Sequence, residues 1–228
     1  MDKCEVAIVI PVYNEDKVVA KVISELIERY PSYTIIVVDD ASKDESCKRS
    51  CIQGVFLLKH SINLGQGAAL QTGIDFAKER GCGYIVTFDS DGQHNPEDIK
   101  PFIDRIKKGD VDIVLGSRFL GKSENMPTIK RYFLKLSRFF TWVTTGIWLT
   151  DSHNGFRAIN IEKFPQFEIR QNRMSHASEI IGIIKDLKMK YVEMPCHIRY
   201  TEYSLNKGQS MWNSINIVID YFVGNLIK

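Results

Sequence analysis

The sequence predicts an α/β fold in which a mostly parallel central sheet is flanked by helices. Two observations predict it. Short, continuously apolar runs alternate with segments whose apolar residues recur at helical spacing, the order that a doubly wound sheet with right-handed crossovers requires. Two of those runs end in acids, which places charged side chains beyond the carboxyl ends of strands, where open α/β sheets bind ligands. A length of 228 residues fits one large domain and requires no second.

Residues 6–10 are an unbroken apolar run closed by Pro11, which reads as a buried strand. Val18, Val19, Val22, Ile23, Leu26 and Ile27 then share one helical face. Residues 35–38 repeat the strand signal and end in Asp39 and Asp40, and residues 55–58 give a third strand. A helix over 67–80 turns Leu70, Ile74 and Ala77 inward. Residues 84–88 form a fourth strand, again ending in acids, and Pro96 opens a helix with Ile99, Phe102, Ile103 and Ile106 on its apolar side. Residues 112–115 form the fifth.

After Arg118 the pattern changes. A helix over 128–149 ends in a run rich in Phe and Trp, too short to span a bilayer and suited either to a membrane interface or to packing under the sheet. Residues 175–187 form an amphipathic helix and 191–200 one or two strands. Met211, Ile215, Val218, Ile219, Phe222 and Leu226 line one stripe of a C-terminal amphipathic helix, which docks on the core, a membrane or a partner.

Composition narrows the function. At 44% hydrophobic and 25% charged the chain is ordinary for a globular protein, and no stretch approaches the roughly 20 apolar residues of a membrane span. The first residues lack the basic start and apolar run of a secretory signal, so a cytoplasmic location is expected. Cys4, Cys47, Cys51, Cys82 and Cys196 are odd in number and form no CxxC pair, so neither a disulfide framework nor a zinc site is expected, and the thiols are read as reduced. A net charge of +2 is too small for a nucleic-acid footprint. Locally, Arg118, Lys122, Lys130, Arg131, Lys135 and Arg138 face only Glu124, an excess fit for phosphates, for an anionic membrane surface or for a solvated helix face.

Asp89-Ser90-Asp91 follows the fourth strand and leads into Gly92-Gln93-His94. Carboxylates two residues apart on a turn can converge on a hard cation, Mg²⁺ or Mn²⁺, that bridges phosphate oxygens; turn acids capping the next helix are the plainer reading. A calcium loop of the EF-hand type is excluded, because Gly92 holds its fourth position rather than the sixth and Lys100 stands where the bidentate Glu belongs. Asp39-Asp40-Ala41-Ser42 can accept hydrogen bonds from a base or ribose, or form an ordinary turn. Gly65 and Gly67 open a helix where bare backbone N–H groups can approach an anion. They are no dinucleotide fingerprint, since Leu70 takes the third glycine position.

The order of these blocks is more specific than any one of them. Ile10-Pro11-Val12-Tyr13-Asn14-Glu15, then Val37 to Ser42, Asn63 to Ala69, Phe88 to Gln93 and Gly116-Ser117-Arg118 together resemble family 2 glycosyltransferases of the Rossmann-like GT-A fold. Asp151-Ser152-His153-Asn154-Gly155-Phe156-Arg157 further resembles a segment of dolichyl- and polyprenyl-phosphate sugar synthases. The resemblance implies that residues 1–118 bind a nucleotide-sugar donor, through Pro11, Tyr13, Glu15, Asp39, Asp40, Gly65 and Gly67. It implies that Asp89 and Asp91 serve the metal and diphosphate, with Gln93 near the sugar. It implies an acceptor side over 119–210, and that Arg118, Arg131, Ser137, Arg138 and Arg157 meet a polyprenyl phosphate.

The implied reaction is inverting transfer of a hexose or N-acetylhexosamine, with UDP as the expected nucleotide. A phosphate acceptor needs positioning, whereas a sugar hydroxyl would need a base, for which Asp151 and Glu179 are candidates and near which His176 lies. Transfer to a hydroxyl of a growing glycan therefore stays open, as do a sugar-nucleotide pyrophosphorylase and an inactive binding module. Gln66 stands where many relatives carry Lys, Asn154 where they carry Ser, and Met211 where they carry Lys. The implied setting is peripheral, on the inner face of the cytoplasmic membrane, with a small integral membrane protein and self-association as candidate partnerships.

Overall fold

A computed structural model describes residues 4–173 and 175–200. Seven strands form one sheet: β1 Val6–Val12, β2 Thr34–Asp39, β3 Val55–Lys59, β4 Tyr84–Thr87, β5 Ile113–Glu124, β6 Arg157–Asn160 and β7 Tyr191–Arg199, in the order β3-β2-β1-β4-β6-β5-β7. All neighbours pair in parallel except β6, which runs antiparallel to both β4 and β5. Six α-helices accompany it: α1 Val19–Arg29, α2 Ser46–Arg49, α3 Gln66–Glu79, α4 Ile99–Ile106, α5 Thr128–Thr145 and α6 His176–Asp186.

Alternation along β1 explains the two layers. Val6, Ile8, Ile10 and Val12 face a core shared with Val22 and Leu26 of α1 and Phe102 and Ile106 of α4. Ala7 and Val9 face the opposite core, shared with Leu70 and Ile74 of α3 and Ile180 and Ile184 of α6. A strand covered on both faces needs apolar side chains at every position, which is why β1 and β2 read as unbroken runs.

The expected strands and helices before residue 115 are all present, and β5 continues to Glu124. The unexpected elements are the one-turn α2 and the inserted β6. The C-terminal helix expected over 211–228, with Ser210 and Met211, lies outside the described residues. Among the described residues no helix is long and apolar enough to cross a membrane.

One cysteine expectation is corrected. Cys4 and Cys82 form a disulfide, while Cys47, Cys51 and Cys196 are free. The pairing follows from topology: β1 and β4 are parallel neighbours with Val6 opposite Tyr84, so residues two positions upstream on each strand also stand side by side. Parity and spacing carry no information about that adjacency.

Candidate active site

The carboxyl ends of β1, β2 and β4 converge where the strand order reverses direction, between β1 and β4. Backbone and short side chains bind the three ends together. Ser90 Oγ donates to the Pro11 carbonyl at 2.8 Å, and the Asp40 N–H donates to the Val12 carbonyl at 2.8 Å. Asn14 N–H donates to Ser42 Oγ at 3.0 Å, and Asn14 Oδ1 accepts from Lys43 N–H at 2.8 Å. Ala41, with φ 58°, makes the left-handed step that turns this chain back after β2.

Asp40 is consumed internally. Its Oδ1 accepts from Leu64 N–H at 2.9 Å and contacts His60 Nδ1 at 2.7 Å, and its Oδ2 accepts from Gly65 N–H at 2.7 Å. The neighbouring Asp39 gives Oδ2 to Ser42 N–H at 3.2 Å, while its buried Oδ1 has no hydrogen-bond partner among the described residues. Of the two acids, Asp39 is the one with an acceptor to spare.

The glycines serve chain packing as well. A Cβ on Gly67 would run into the Gln171 carbonyl, and one on Gly65 into that of Asn172; Ala68 N–H donates to the Asn172 carbonyl at 3.1 Å. That 171–173 segment is held by Glu179, which accepts from Arg170 N–H at 2.9 Å and Gln171 N–H at 2.8 Å. The structure therefore sets Glu179 to holding a loop against the glycine turn. His176, in the same helix, is buried and engages the Arg173 carbonyl through Nδ1 at 2.7 Å.

Asp89 and Asp91 differ in environment. Asp89 Oδ1 accepts from Gln66 Nε2 at 2.9 Å, and Oδ2 lies 3.0 Å from His94 Nε2. Burial raises its pKa, but the His94 hydrogen bond and the His94, His176 and Arg157 charges outweigh that and hold the carboxyl below its ordinary value. Gly155 makes room for it, since a Cβ there would come 2.6 Å from Asp89 Oδ2. Among the described residues Asp91 accepts only from Gln93, by N–H at 3.0 Å and Nε2 at 2.6 Å. Burial first, then the Asp89 charge, push its carboxyl up to about 6, against the opposing charge of His94. No third acid, histidine or cysteine among the described residues completes a metal cluster. The donor set suits a hard divalent cation that takes one or two protein carboxylates and fills its other positions with water and phosphate oxygens.

Strand β7 braces the turn that carries these acids. Arg199 N–H donates to the Gln93 carbonyl at 2.9 Å, His94 bridges to Ile198, and His197 N–H donates to Asp98 Oδ2 at 2.7 Å. A cleft of about 330 Å³ opens beside Asp91, lined among others by Lys21, Gln93, His94, Lys122 and Arg199.

The expected acceptor residues do not gather at one open surface. Arg118 is buried at the Ser117 irregularity of β5, donating through Nε to Asp151 Oδ2 at 2.6 Å and through Nη1 to Tyr200 Oη at 2.8 Å. Although burial opposes its charge, Asp151 and Tyr200 hold the guanidinium pKa above its ordinary value. Asp151 is thus committed to Arg118. Arg157 is buried in β6 near Asp89 and Asp151, with Nη1 unpartnered among the described residues, and burial brings it down to about 10. Ser137 Oγ lies 3.2 Å from His153 Nδ1, on the inner side of α5. Arg131 is exposed, and Arg138 stacks over Trp148 at 4.7 Å. Sequence reasoning missed His94, His60 and Tyr200; only His94, three residues beyond Asp91, had a local signal.

The architecture is that of a doubly wound α/β protein with acids at the switch point of its sheet. The description "Glycosyl transferase family 2" matches residues 7–167, and the chain belongs to that family. It is 34% identical to a UDP-N-acetylglucosamine–dolichyl-phosphate N-acetylglucosaminyltransferase of Methanococcus voltae, over 90% of this chain and 89% of that protein. It is 30% identical to an undecaprenyl-phosphate mannosyltransferase of Micrococcus luteus, over 66% of this chain and 64% of that protein. Among solved structures, glucosyl-3-phosphoglycerate synthase of Mycobacterium tuberculosis, in complex with Mn²⁺, UDP and phosphoglyceric acid, superimposes with a TM-score of 0.70 at 15% identity, covering 94% of this chain and 76% of that one. That likeness establishes the GT-A fold of this enzyme.

Proposed function

We propose that this glycosyltransferase moves a hexose or N-acetylhexosamine, with inversion, from a UDP-sugar to a polyprenyl phosphate in cell-envelope glycan synthesis, as a single domain. The observation that carries the reading is the asymmetric acid pair at the end of β4: Asp89 is held by Gln66 and His94, and Asp91, beside the cleft, accepts only from Gln93 among the described residues. Asp91 first, with Asp89 behind it, would hold Mg²⁺ or Mn²⁺, which supplies charge neutralisation for a departing nucleoside diphosphate. Asp39, paired with Val12 across β1 and β2, would offer its spare acceptor to the nucleoside, with Pro11, Tyr13 and Glu15 as its further contacts and Gln93 as a contact to the sugar.

Among the described residues the two candidate bases are committed elsewhere, which favours an acceptor that needs none. An oxygen of the acceptor forms a bond to the anomeric carbon as the bond to the diphosphate breaks on the opposite face. A hydroxyl would need a base to take its proton, but Asp151 is locked to Arg118 and Glu179 to two backbone N–H groups. A phosphate arrives ionised at pH 7 and needs only orientation. Polyprenyl-phosphate acceptors in the names of the relatives support the same choice. The enzyme would then work at the cytoplasmic membrane's inner face.

Incubating the purified chain with Mn²⁺, a short-chain polyprenyl phosphate and UDP-GlcNAc, UDP-glucose or GDP-mannose tests the proposal. Sugar on the lipid phosphate is the expected product. Pyrophosphate-dependent synthesis of the nucleotide sugar, or transfer only to a glycan hydroxyl, would replace this reading with another.

A further inference from the structure

Helix α5 has two unlike faces. Its inner face is committed: Thr141 and Thr145 are buried, and Ser137 reaches His153. Its outer face carries Tyr132, Leu136, Phe139 and Val143, spaced to fall on one stripe, with exposures of 69%, 65%, 53% and 62%. Trp142 and Trp148 extend the stripe, with ring centroids 5.8 Å from Phe139 to Trp142 and 5.7 Å from Trp142 to Trp148. Contiguous apolar side chains left in water are unfavourable, so this many together mark a contact surface rather than chance exposure.

The charge pattern selects the occupant. The sequence of α5 contains Lys130, Arg131, Lys135 and Arg138 and no Asp or Glu. We propose that α5 docks on an anionic phospholipid bilayer, its aromatic stripe at the headgroup level and its cations against lipid phosphates. A symmetric contact between two copies would set one cationic stripe against another, which costs energy. The inference deepens the proposed function and rests on it in one respect: a lipid-linked phosphate is met only at a bilayer surface.

Cosedimentation of the full chain with phosphatidylcholine vesicles, with and without phosphatidylglycerol, tests it. Wild-type protein should partition onto the anionic vesicles at least about tenfold better than onto neutral ones. Leu136→Glu/Phe139→Glu should lose at least about tenfold of that partition, and Lys135→Glu several-fold on anionic vesicles alone, with melting temperatures unchanged. Undiminished binding by the double variant, which would assign the contact to residues outside α5, overturns the inference. So does a wild-type dimer that binds neither vesicle and that the double variant dissolves. Turnover on a water-soluble short-chain acceptor, without vesicles, reads the proposed function separately: its absence with docking intact counts against the transferase reading alone.

Discussion

Arg118 donates to Asp151 at 2.6 Å, and neither side chain reaches solvent, with 8% and 1% exposure. The pair joins β5 to the loop before β6 across 33 residues of sequence, with Tyr200 as a third member. Removing one partner strands a buried charge, a loss typically of about 3–5 kcal/mol. Asp151→Asn and Arg118→Ala are therefore expected to lower stability by that order in urea denaturation. Arg118→Met/Asp151→Leu should recover much of it. An Arg118→Ala protein of wild-type stability that merely uses acceptor poorly would show the guanidinium to be a ligand rather than a strut.

At Asp91 the balance runs the other way. Its carboxylate is half-buried beside Asp89, with Gln93 as its hydrogen-bond partner among the described residues, so Asp91→Asn removes a repulsion and should leave the melting temperature of the metal-free protein unchanged or higher. The same variant should lose at least on the order of 100-fold in turnover. Stabilisation by UDP with Mn²⁺ should vanish with it. Thermal shift with and without Mn²⁺ and UDP reads both effects.

Gly155 tests how tightly the acids are seated. Gly155→Ala would set a Cβ 2.6 Å from Asp89 Oδ2, against a carboxylate already fixed by Gln66 and His94. Overpacking of this kind costs about 1–3 kcal/mol, so the variant should melt lower and bind Mn²⁺ and UDP more weakly. Wild-type behaviour in both would mean that the loop before β6 moves away freely.

What was legible in the sequence divides by range. Strands β1, β2 and β4 were readable because both faces are buried, and Asp89, Asp91 and Gln93 because one turn carries all three. Strand β6 was not, since four residues beginning with a buried arginine carry neither an apolar run nor a visible alternation. The Arg118–Asp151 pair and the Gly67–Gln171 contact join segments far apart in sequence, and local pattern says nothing of which distant group a charge or a bare backbone will meet. Hence the turn that carries Asp89, Asp91 and Gln93 could be placed from its local pattern, whereas the internal commitment of Asp40 and the burial of Arg118 and Arg157 could not.

Two histidines give the fold a dependence on acid. Burial, outweighing the Asp151 charge at His153 and reinforced by Arg157 at His176, brings each ring down to about 4 from 6.5. A folded pKa below the unfolded one means that the unfolded chain binds more protons between pH 4 and 6.5. Stability contributed by each neutral ring is therefore complete above pH 6.5 and falls as the pH drops, by about 1.4 kcal/mol per pH unit per ring, levelling near pH 4. Asp91, raised to about 6, acts in the opposite sense over much of that window, so the clean measurement is a difference. Urea unfolding of wild type and His153→Gln from pH 7 to pH 4 should show the wild type losing ground to the variant as the pH falls. Parallel curves would mean that His153 takes up its proton in the folded state.

The Cys4–Cys82 disulfide closes a segment of 78 residues that contains β1, β2, β3 and α3. Cross-linking so long a loop restricts the unfolded chain and typically stabilises by roughly 2–4 kcal/mol. Alkylation of the denatured, unreduced protein should label Cys47, Cys51 and Cys196 and no others, with five thiols appearing after reduction. Cys82→Ser, or reduction of the wild type, should lower the urea midpoint by that amount while turnover at low temperature persists, because the bond lies at the amino ends of β1 and β4, across the sheet from Asp91. Five reactive thiols in the freshly isolated protein would return both cysteines to the reduced state read from the sequence.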